Sequence, residues 1–431
     1  MNKRILKLVL PNIITNITVP LLGMVDLAIV GHIGDEIFIG AIAIGTMIFN
    51  MIYWNFGFLR MGTSGFTAQA YGAEDMDEAA KILSRALFIA ICFSLLLIIF
   101  QTPILKFAFL LITDTSKTKD LITQYFAIRI WAAPATLGIY AIKGWLIGMQ
   151  NSKQPMWMAI IINVVNILCS FLLAVVYKMG IKGVALGTVI AQYSGLTACI
   201  LILLFKYKHI LVKIDIRKIF DKKELLRFFK LNYDIFLRTL CLIAVFTFIP
   251  AEGSKYSDMV LAVNTLLMQF FTLFSYILDG FAYAGEALVG RYIGAKDKKS
   301  LTLVIKLLFM WGIVLSIIFI ICYASFGHEI LWLFTDDNYI INAADEYYFW
   351  VLIIPIISFS AFLWDGIYIG AMATKYLRNS IFIATAIFFV LYYILNTYLG
   401  NNALWMAFIA FLFFRGFMQF VYSKKAVFNQ V

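Results

Sequence analysis

The chain has 431 residues and a formal net charge of +11, from 35 Lys and Arg against 24 Asp and Glu. Hydrophobic residues make up 63% of the chain and charged residues 14%, whereas soluble domains have roughly 45–50% and about 25%. A water-soluble protein of this composition would expose large apolar patches. The composition therefore excludes a soluble enzyme, a disordered chain and a nucleic-acid binder with a charged surface, and it predicts a protein embedded in lipid.

Long apolar runs follow one another along the sequence, and each is long enough to cross a bilayer as a helix, which takes roughly 20 residues. They lack the alternating pattern of short barrel strands, so we predict an all-α membrane protein. The first run is too long for a cleavable signal peptide and has no small-residue cleavage site, so we expect it to remain as a helix. In chain order the twelve predicted spans are 5–30, 36–60, 81–104, 120–146, 156–178, 182–206, 229–250, 258–285, 300–323, 341–369, 378–398 and 402–422.

The distribution of basic residues predicts the orientation of these spans, because cytoplasmic loops carry an excess of Lys and Arg. With the N-terminus in the cytoplasm, 27 of the 35 basic residues fall on the cytoplasmic side and six on the outer side. Arg129 and Arg238 remain inside spans. We therefore predict a multi-pass protein of the cytoplasmic (inner) membrane with both termini in the cytoplasm.

The most basic stretch of the chain, residues 206–230, lies near its middle and holds nine Lys and Arg. Such a segment is typical of a cytoplasmic linker that lies on anionic headgroups. Nucleic-acid binding by this short segment is the alternative. We predict an N-terminal six-helix bundle (1–205), a basic linker (206–228) and a C-terminal six-helix bundle (229–431).

The cysteines and histidines indicate neither metal chemistry nor a cofactor. All five cysteines lie inside apolar runs without a C-x-x-C pair, so we expect free thiols packed as small hydrophobic side chains. The three histidines are scattered and lack the spacing of metal ligands. These residues are Cys92, Cys169, Cys199, Cys241, Cys322, His32, His209 and His328.

Glycine-containing motifs recur in the two halves at a nearly constant separation, which indicates an internal repeat. Because each half has an even number of spans, both halves run in the same topological sense. Parallel repeats of this kind are common in secondary transporters, although a static array of helices could also arise by duplication. The matches are Gly72-Ala73 with Gly294-Ala295, Gly144 with Gly366 and Ile147-Gly148 with Ile369-Gly370, all 222 residues apart, and Gly180 with Gly400, 220 apart.

An acidic residue, Asp26, lies inside the first span, where ionisable groups are unfavourable and usually serve a function. Pro20 precedes it by six residues and cannot donate a backbone hydrogen bond to the carbonyl of Asn16. We therefore expect the first helix to bend or unwind at Pro20, near a carboxylate that holds a proton or a small cation. A structural Asp, satisfied by hydroxyls or an Arg, is the alternative.

The fifth span carries Asn163, Asn166 and Ser170, which share one helical face. Exposing two carboxamides to lipid would be unfavourable, so this face is expected to point inward. The pattern alone allows either interhelical packing or membership of the Asp26 site.

Four further ionisable residues form a secondary polar set in the second half. Asp279 and Glu286 are seven residues apart on one helical face, about 10 Å along the axis. Asp279 either forms an ion pair with Arg238 or serves transport, and Glu286 could instead pair with Arg291. Asp365 is the second half's candidate for a proton or substrate contact.

Six stretches of the sequence resemble the multidrug and toxic compound extrusion (MATE) transporters, and within them the DNA-damage-inducible protein F (DinF) branch. The similar stretches are N-I-T-V-P-L-L-G-M-V-D-L-A-I-V-G-H-I-G (Asn16–Gly34), F-L-R-M-G-T-S-G-F-T-A-Q-A-Y-G-A (Phe58–Ala73), D-I-F-L-R-T-L (Asp234–Leu240), Y-I-L-D-G-F-A-Y-A-G-E-A (Tyr276–Ala287), W-D-G-I-Y-I-G-A (Trp364–Ala371) and L-R-N-S (Leu377–Ser380). The resemblance implies two six-helix bundles arranged as a V around a central cavity, which export amphipathic, often cationic compounds in exchange for protons or sodium ions.

The resemblance also implies a coupling site in the N-terminal bundle. Asp26 matches the family's ion or proton carrier, Asn166 and Thr188 match polar members of its site, and the carbonyl of Val184 is expected to face it. Where the family often has a further Asp, this chain has Ser170. The loss of that carboxylate weakens a sodium site and favours proton coupling. Asp365 matches a family carboxylate in the second bundle.

These observations lead to one function and two alternatives. We predict a secondary antiporter, monomeric and without a cofactor or nucleic-acid partner, that exports amphipathic small molecules in exchange for H⁺, with Na⁺ as the alternative ion. A lipid-linked saccharide or lipid flippase would need a more cationic cavity than the few basic residues inside the spans suggest. An intramembrane transferase would need Asp-rich Mg²⁺ motifs or a buried His base, and the sequence offers neither.

Overall fold

The protein is helical throughout the residues described by a computed structural model, which are 1–31, 36–111, 118–211 and 221–431. The helices of the first half are α1 (Asn2–Gly31), α2 (Glu36–Asn55), α3 (Gly57–Gly72), α4 (Met76–Ile99), α5 (Gln101–Leu111), α6 (Lys119–Arg129), α7 (Ala133–Gly148), α8 (Lys153–Phe171), α9 (Ile181–Lys206) and α10 (Lys208–Leu211). The second half contains α11 (Lys222–Tyr256), α12 (Asp258–Gly294), α13 (Lys298–Phe334), α14 (Asn338–Ala344), α15 (Tyr348–Gly370), α16 (Thr374–Leu399) and α17 (Asn401–Ala426).

The predicted spans are confirmed: twelve helical segments in the described part of the chain are long and apolar enough to cross a membrane. Many large apolar side chains on their outer faces are exposed, such as Phe205 at 83%. A membrane protein places such side chains against lipid, which is as apolar as they are. Helices commonly extend past the apolar runs; α13, for example, ends at Phe334, whereas the run ends at residue 323.

The chain divides into two compact units of similar size. Unit 1 comprises Met1–Ile13 with Lys230–Val431, and unit 2 comprises Ile14–Phe229. The first turns of α1 therefore belong with the second half of the sequence: Arg4 donates a hydrogen bond to the hydroxyl of Tyr292, and Gly280 packs against Ile13. Of the predicted basic linker, residues 212–220 lie outside the described residues, as does His32.

The internal repeat is visible in the packing of both units. In unit 2 a side chain at Gly144 would collide with the backbone of Arg60, and in unit 1 one at Gly366 would collide with the backbone of Ala282. Both residues of the second contact lie 222 positions after those of the first, so the same close helix crossing occurs in each half. Such crossings require glycine, because only a missing Cβ lets two backbones approach so closely.

The turns repeat as well as the helix crossings. Gly180 before α9 and Gly400 before α17 have the same backbone conformation, with φ of +55° and +53° and ψ of −131°. Asp75 and Asp297, again 222 residues apart, cap α4 and α13 by accepting a hydrogen bond from the backbone N–H three residues later. The two halves therefore share local structure as well as topology.

Two helices differ from what the sequence predicts. The first helix runs through Pro20 without interruption as α1, so the predicted unwinding at this residue is wrong, and the alternative, a bend at Pro20, stays a prediction. A proline in a long helix removes one hydrogen bond, and membrane helices tolerate that loss when neighbours satisfy the freed carbonyl. A break beyond the end of the ninth predicted span occurs in α13 at Phe326, directly before Gly327, where φ is −124°.

Candidate functional site

Asp26 is fully buried in unit 2, and its carboxylate is surrounded by polar groups from two other helices. Ser170 of α8 donates to Oδ1 at 3.4 Å, and Thr188 of α9 donates to Oδ2 at 3.2 Å. The amide of Asn166 donates to both of these hydroxyls, at 3.3 and 3.1 Å. The structure therefore brings together Asp26, Asn166, Ser170 and Thr188.

The carbonyl of Val184 completes this group, which we call the Asp26 site. The hydroxyl oxygens of Ser170 and Thr188 lie 3.5 and 3.1 Å from it. Each hydroxyl has a single hydrogen, so it can donate either to the Asp26 carboxylate or to this carbonyl, but not to both at once. Because Asn166 occupies an acceptor position on both hydroxyls, their hydrogens must point toward Asp26 or Val184.

This geometry supports two proton arrangements with little movement of heavy atoms. With Asp26 ionised, both hydroxyls can donate to its two oxygens. With Asp26 protonated, its own O–H needs an acceptor, and a hydroxyl that turns its hydrogen to the Val184 carbonyl supplies one. The site can therefore satisfy a carboxylate or a carboxylic acid without leaving a buried donor unpaired, which would be unfavourable by about 1–3 kcal/mol.

Two glycines of α9 bring the α8 hydroxyl to the site. A Cβ at Gly187 would lie 2.6 Å from the backbone nitrogen of Ser170, and one at Gly183 would lie 2.6 Å from that of Ala174. Directly after Ser170, α8 continues as a π-helical turn over Leu172–Val176, a feature that often marks functional sites. The small residues on α9 thus set the short distance between the Ser170 hydroxyl and the Val184 carbonyl.

The fifth-span residue Asn163 does not join the Asp26 site. Its amide donates to the carbonyl of Ala159 in its own helix at 2.9 Å, and its side chain is half-buried. Asn166 and Ser170, by contrast, are fully buried. The face predicted from the sequence therefore divides into two site residues and one residue that is satisfied locally.

Unit 1 contains a second buried polar group, the Asp365 cluster, formed by Asp365, Arg238, Arg415 and Gln419. Oδ2 of Asp365 accepts from both guanidinium groups, and Oδ1 accepts from the amide of Gln419 at 2.6 Å. The residue is 5% exposed. With both oxygens engaged by three donors, Asp365 has the geometry of an ion cluster that joins α11, α15 and α17.

The Asp365 cluster changes two expectations from the sequence. An ion pair with Arg238 was one of two alternatives for Asp279, but the guanidinium of Arg238 donates to Asp365, and Asp279 is half-buried. Arg415 was counted among the cytoplasmic basic residues, yet it is 3% exposed within α17, so the cytoplasmic count falls from 27 to 26. Glu286 is fully buried in α12, where Gly370 packs against its backbone.

From the sequence, Arg129 is only a basic residue within a span; in the structure it is buried in unit 2, which also contains the Asp26 site. Arg129 ends α6 and is 6% exposed. Its guanidinium donates to the hydroxyl of Thr46 at 3.2 Å and to that of Tyr125, and it lies 5.0 Å from the ring centre of Phe49. Arg415 and Gln419 were also missed, because no spacing rule links them to Asp365.

The remaining expectations concern cysteines and metals. All five cysteines are free, as expected, but Cys322 is exposed on α13 rather than packed in the interior. Within the described ranges no group of three or more His, Cys, Asp or Glu residues has the arrangement of a metal site.

Comparison with known proteins agrees with the repeat and with the membrane fold. The profile of the MatE family matches residues 11–172 and again residues 235–396. The chain is 34% identical over 415 residues to DNA damage-inducible protein F of Escherichia coli (strain K12), covering 96% of this chain and 90% of that protein. It is 21% identical over 342 residues to the multidrug export protein MepA of Staphylococcus aureus (strain NCTC 8325 / PS 47), covering 78% and 74% of the two chains.

Solved structures share the fold at low sequence identity. A crystal structure of MATE in the bent conformation has a TM-score of 0.88 at 18% identity and covers 100% of this chain and 96% of its own. An outward-facing multidrug resistance transporter of the MATE family has a TM-score of 0.85 at 18% identity, covering 99% and 96%. The chain therefore belongs to the MatE family, the multidrug and toxic compound extrusion transporters, and is a multi-pass membrane protein.

Proposed function

We propose that the protein is an antiporter that exports amphipathic organic compounds, cationic ones among them, in exchange for protons. It would act in the cytoplasmic membrane as a monomer, with both termini in the cytoplasm. Asp26 would bind the proton, and Asn166, Ser170, Thr188 and the Val184 carbonyl would satisfy its two protonation states. The observation that carries this proposal is a fully buried carboxylate that accepts from two hydroxyls, each of which can be redirected to a carbonyl.

The proposed cycle depends on differential affinity. A proton and a substrate exchange only if they favour different conformations, because a ligand that binds two states equally shifts neither. MATE structures in a bent and in a straight conformation are both similar to this chain, with TM-scores of 0.88 and 0.82. This similarity supports a cycle of at least two states, in which protonation of Asp26 favours one.

Proton rather than sodium coupling is favoured by the composition of the Asp26 site. It contains one carboxylate, that of Asp26, and Ser170 occupies the position at which a second carboxylate could stand. A proton needs a single acceptor, whereas a cation bound without water needs several oxygen ligands and compensating negative charge. Asn166 also donates to the hydroxyls of Ser170 and Thr188, which leaves fewer of their lone pairs for a cation.

The test is Asp26→Asn, which keeps the shape of the side chain but removes its ability to exchange a proton. In inverted membrane vesicles, an imposed pH gradient should drive ethidium movement in the wild type and not in this variant. Glu252→Gln is a matched control, because Glu252 is another membrane carboxylate but is paired with Lys255 and Tyr392. We expect this control to transport at about the wild-type rate.

Two results would contradict the proposal. The first is pH-driven transport by Asp26→Asn at the wild-type rate. The second is wild-type exchange that responds to a sodium gradient but not to a pH gradient in proteoliposomes. Either result would require another coupling residue or another ion.

A further inference from the structure

A buried positive charge in unit 2 has no role in the function proposed above. The guanidinium of Arg129 contacts neutral hydroxyls and aromatic rings, and none of the described acids lies within ion-pair distance of it. An isolated buried charge is unfavourable by several kcal/mol unless an opposite charge is near. A negative charge at longer range would therefore stabilise the guanidinium of Arg129.

Packing contacts connect Arg129 to the helix turn that carries Asp26. Thr46 of α2, which accepts from Arg129, packs at Gly23 of α1, where its methyl lies 3.7 Å from the position of a Cβ. Gly23 is three residues before Asp26 and so lies on the same face of α1. The contacts of Arg129 thus reach, through Thr46, the turn of α1 that precedes Asp26.

The second connection runs through Tyr125, one turn before Arg129. Its hydroxyl accepts from Arg129 and lies 3.3 Å from that of Thr46, and its ring packs directly on Gly45 of α2. The contacts of Arg129 with Thr46 and Tyr125 therefore link its guanidinium to α2 and, through Thr46, to the turn of α1 that holds Gly23. Arg129 is held rigidly by these partners, so its charge is fixed in place relative to α2 and α6.

The groups that face Asp26 differ in what they contribute. From α8 and α9 they are neutral: the Asn166 amide, the hydroxyls of Ser170 and Thr188, and the Val184 carbonyl. The groups of α6 and α2 that pack beside the Gly23 turn of α1 are the neutral phenol of Tyr125, the hydroxyl of Thr46 and the cation of Arg129. Among these described groups, Arg129 is the one that carries a permanent charge.

We propose that Arg129 is the built-in counter-charge of Asp26 and sets the pH at which the Asp26 site takes up its proton. Arg129 is a positioning residue in this proposal, since it acts on Asp26 without contacting it. When Asp26 is ionised, the two charges balance; when Asp26 binds a proton, the interior of unit 2 gains the uncompensated charge of Arg129. This inference rests on the proposed role of Asp26 and adds the residue that tunes it.

The sign of the effect follows from Coulomb's law. A fixed positive charge favours the ionised carboxylate, so removing it favours the protonated acid, and Asp26 should then remain protonated up to a higher pH. Arg129→Gln removes the charge and keeps a hydrogen-bond donor. Arg129→Lys keeps the charge, and Thr46→Val removes a hydrogen bond of Arg129 while leaving its charge.

The experiment is an infrared titration of the purified protein in liposomes, which needs no substrate. The carboxylic acid C=O band that is absent in Asp26→Asn reports protonation of Asp26. We expect its midpoint to rise by about one pH unit or more in Arg129→Gln, the size of effect that a nearby opposite charge exerts. In Arg129→Lys and Thr46→Val the midpoint should stay near that of the wild type.

The outcomes separate this inference from the proposed function. A midpoint in Arg129→Gln that is unchanged or lower overturns the role of Arg129, and so does an equal rise in Arg129→Lys. If Arg129→Gln raises the midpoint but Asp26→Asn still transports in response to a pH gradient, the proposed function fails and the counter-charge stands. If Asp26→Asn loses transport and the midpoint does not move, only the role of Arg129 fails.

Discussion

The side chain of Asn166 holds two hydroxyls of the Asp26 site through a single amide group. Its two N–H groups are donated to Ser170 and Thr188, which fixes both hydroxyl oxygens as acceptors on that side. Without the amide, each hydroxyl could rotate its hydrogen away from both Asp26 and the Val184 carbonyl. Asn166 is therefore expected to act on coupling without carrying a proton itself.

Asn166→Ala should reduce the rate of pH-driven transport by about tenfold or more, since the loss of two buried hydrogen bonds is worth about 1–3 kcal/mol. Asn163→Ala is the matched control: the same residue type, one turn away on the same helix, bonded only to its own backbone. We expect the control to transport at close to the wild-type rate. Equal losses in both variants would indicate a packing role for this face of α8.

The carboxylate of Asp365 is expected to serve the stability of the protein, whereas that of Asp26 is expected to serve coupling. Asp365→Asn leaves Arg238 and Arg415 buried without the acid that contacts them both, which should destabilise the protein by about 3–5 kcal/mol. Thermal unfolding of the purified variant, compared with Asp26→Asn, measures this. A proton-carrying role for Asp365 would instead give a stable protein that has lost coupling.

At the level of helices, the glycine contacts of the repeat explain why two halves of different sequence share one packing arrangement. Gly144 of α7 packs against the backbone of α3, and Gly366 of α15 packs against the backbone of α12. Substitution of either glycine by alanine would push the two helices apart, α3 from α7 or α12 from α15. Overpacking of this kind destabilises a protein by about 1–3 kcal/mol.

Gly144→Ala and Gly366→Ala should therefore lower the melting temperature by similar amounts. Gly57→Ala is a suitable control, because a Cβ there meets no atom within 4 Å. Unequal losses would show that the two halves, although they share this crossing, depend on it to different degrees. Loss of stability in Gly57→Ala alone would contradict the argument.

The helices could be predicted from the sequence to different extents. Hydropathy predicts all twelve spans because each helix that crosses the bilayer must itself contain an apolar run long enough to do so. The repeated glycines also predict real contacts, since close crossings demand that residue at fixed positions. The continuous path of α1 through Pro20 and the break at Phe326 could not be predicted, because both depend on which neighbours satisfy the backbone.

The polar residues, like the helices, could be predicted from the sequence only in part. The family resemblance predicts one group around Asp26, formed by Asn166, Ser170, Thr188 and Val184. The structure brings these residues together. The partner of Arg238 does not follow, because Asp279 and Asp365 are both within reach of a long side chain and only the packing of α11 against α15 and α17 selects one. Arg129 near Asp26 depends on how α2, α6 and α1 meet.

For the molecule as a whole, the excess of positive charge is mainly a matter of orientation in the membrane. With Arg415 assigned to the Asp365 cluster, 26 basic residues remain at the end of the spans that carries both termini, against six at the other. Translocation of basic segments is disfavoured, so the richer side should be cytoplasmic. The basic segments Lys206–Lys230 and Arg291–Lys306 would then face anionic lipid headgroups of the inner leaflet.

This orientation can be measured with single cysteines in a variant whose five native cysteines are replaced by alanine. In intact cells, a membrane-impermeant maleimide should label a cysteine at Lys106, which is exposed on α5, and should not label cysteines at Asn2 or Asn429. After the cells are opened, all three should react, since each of these positions is exposed in the structure. Labelling of Asn2 or Asn429 in intact cells would reverse the topology.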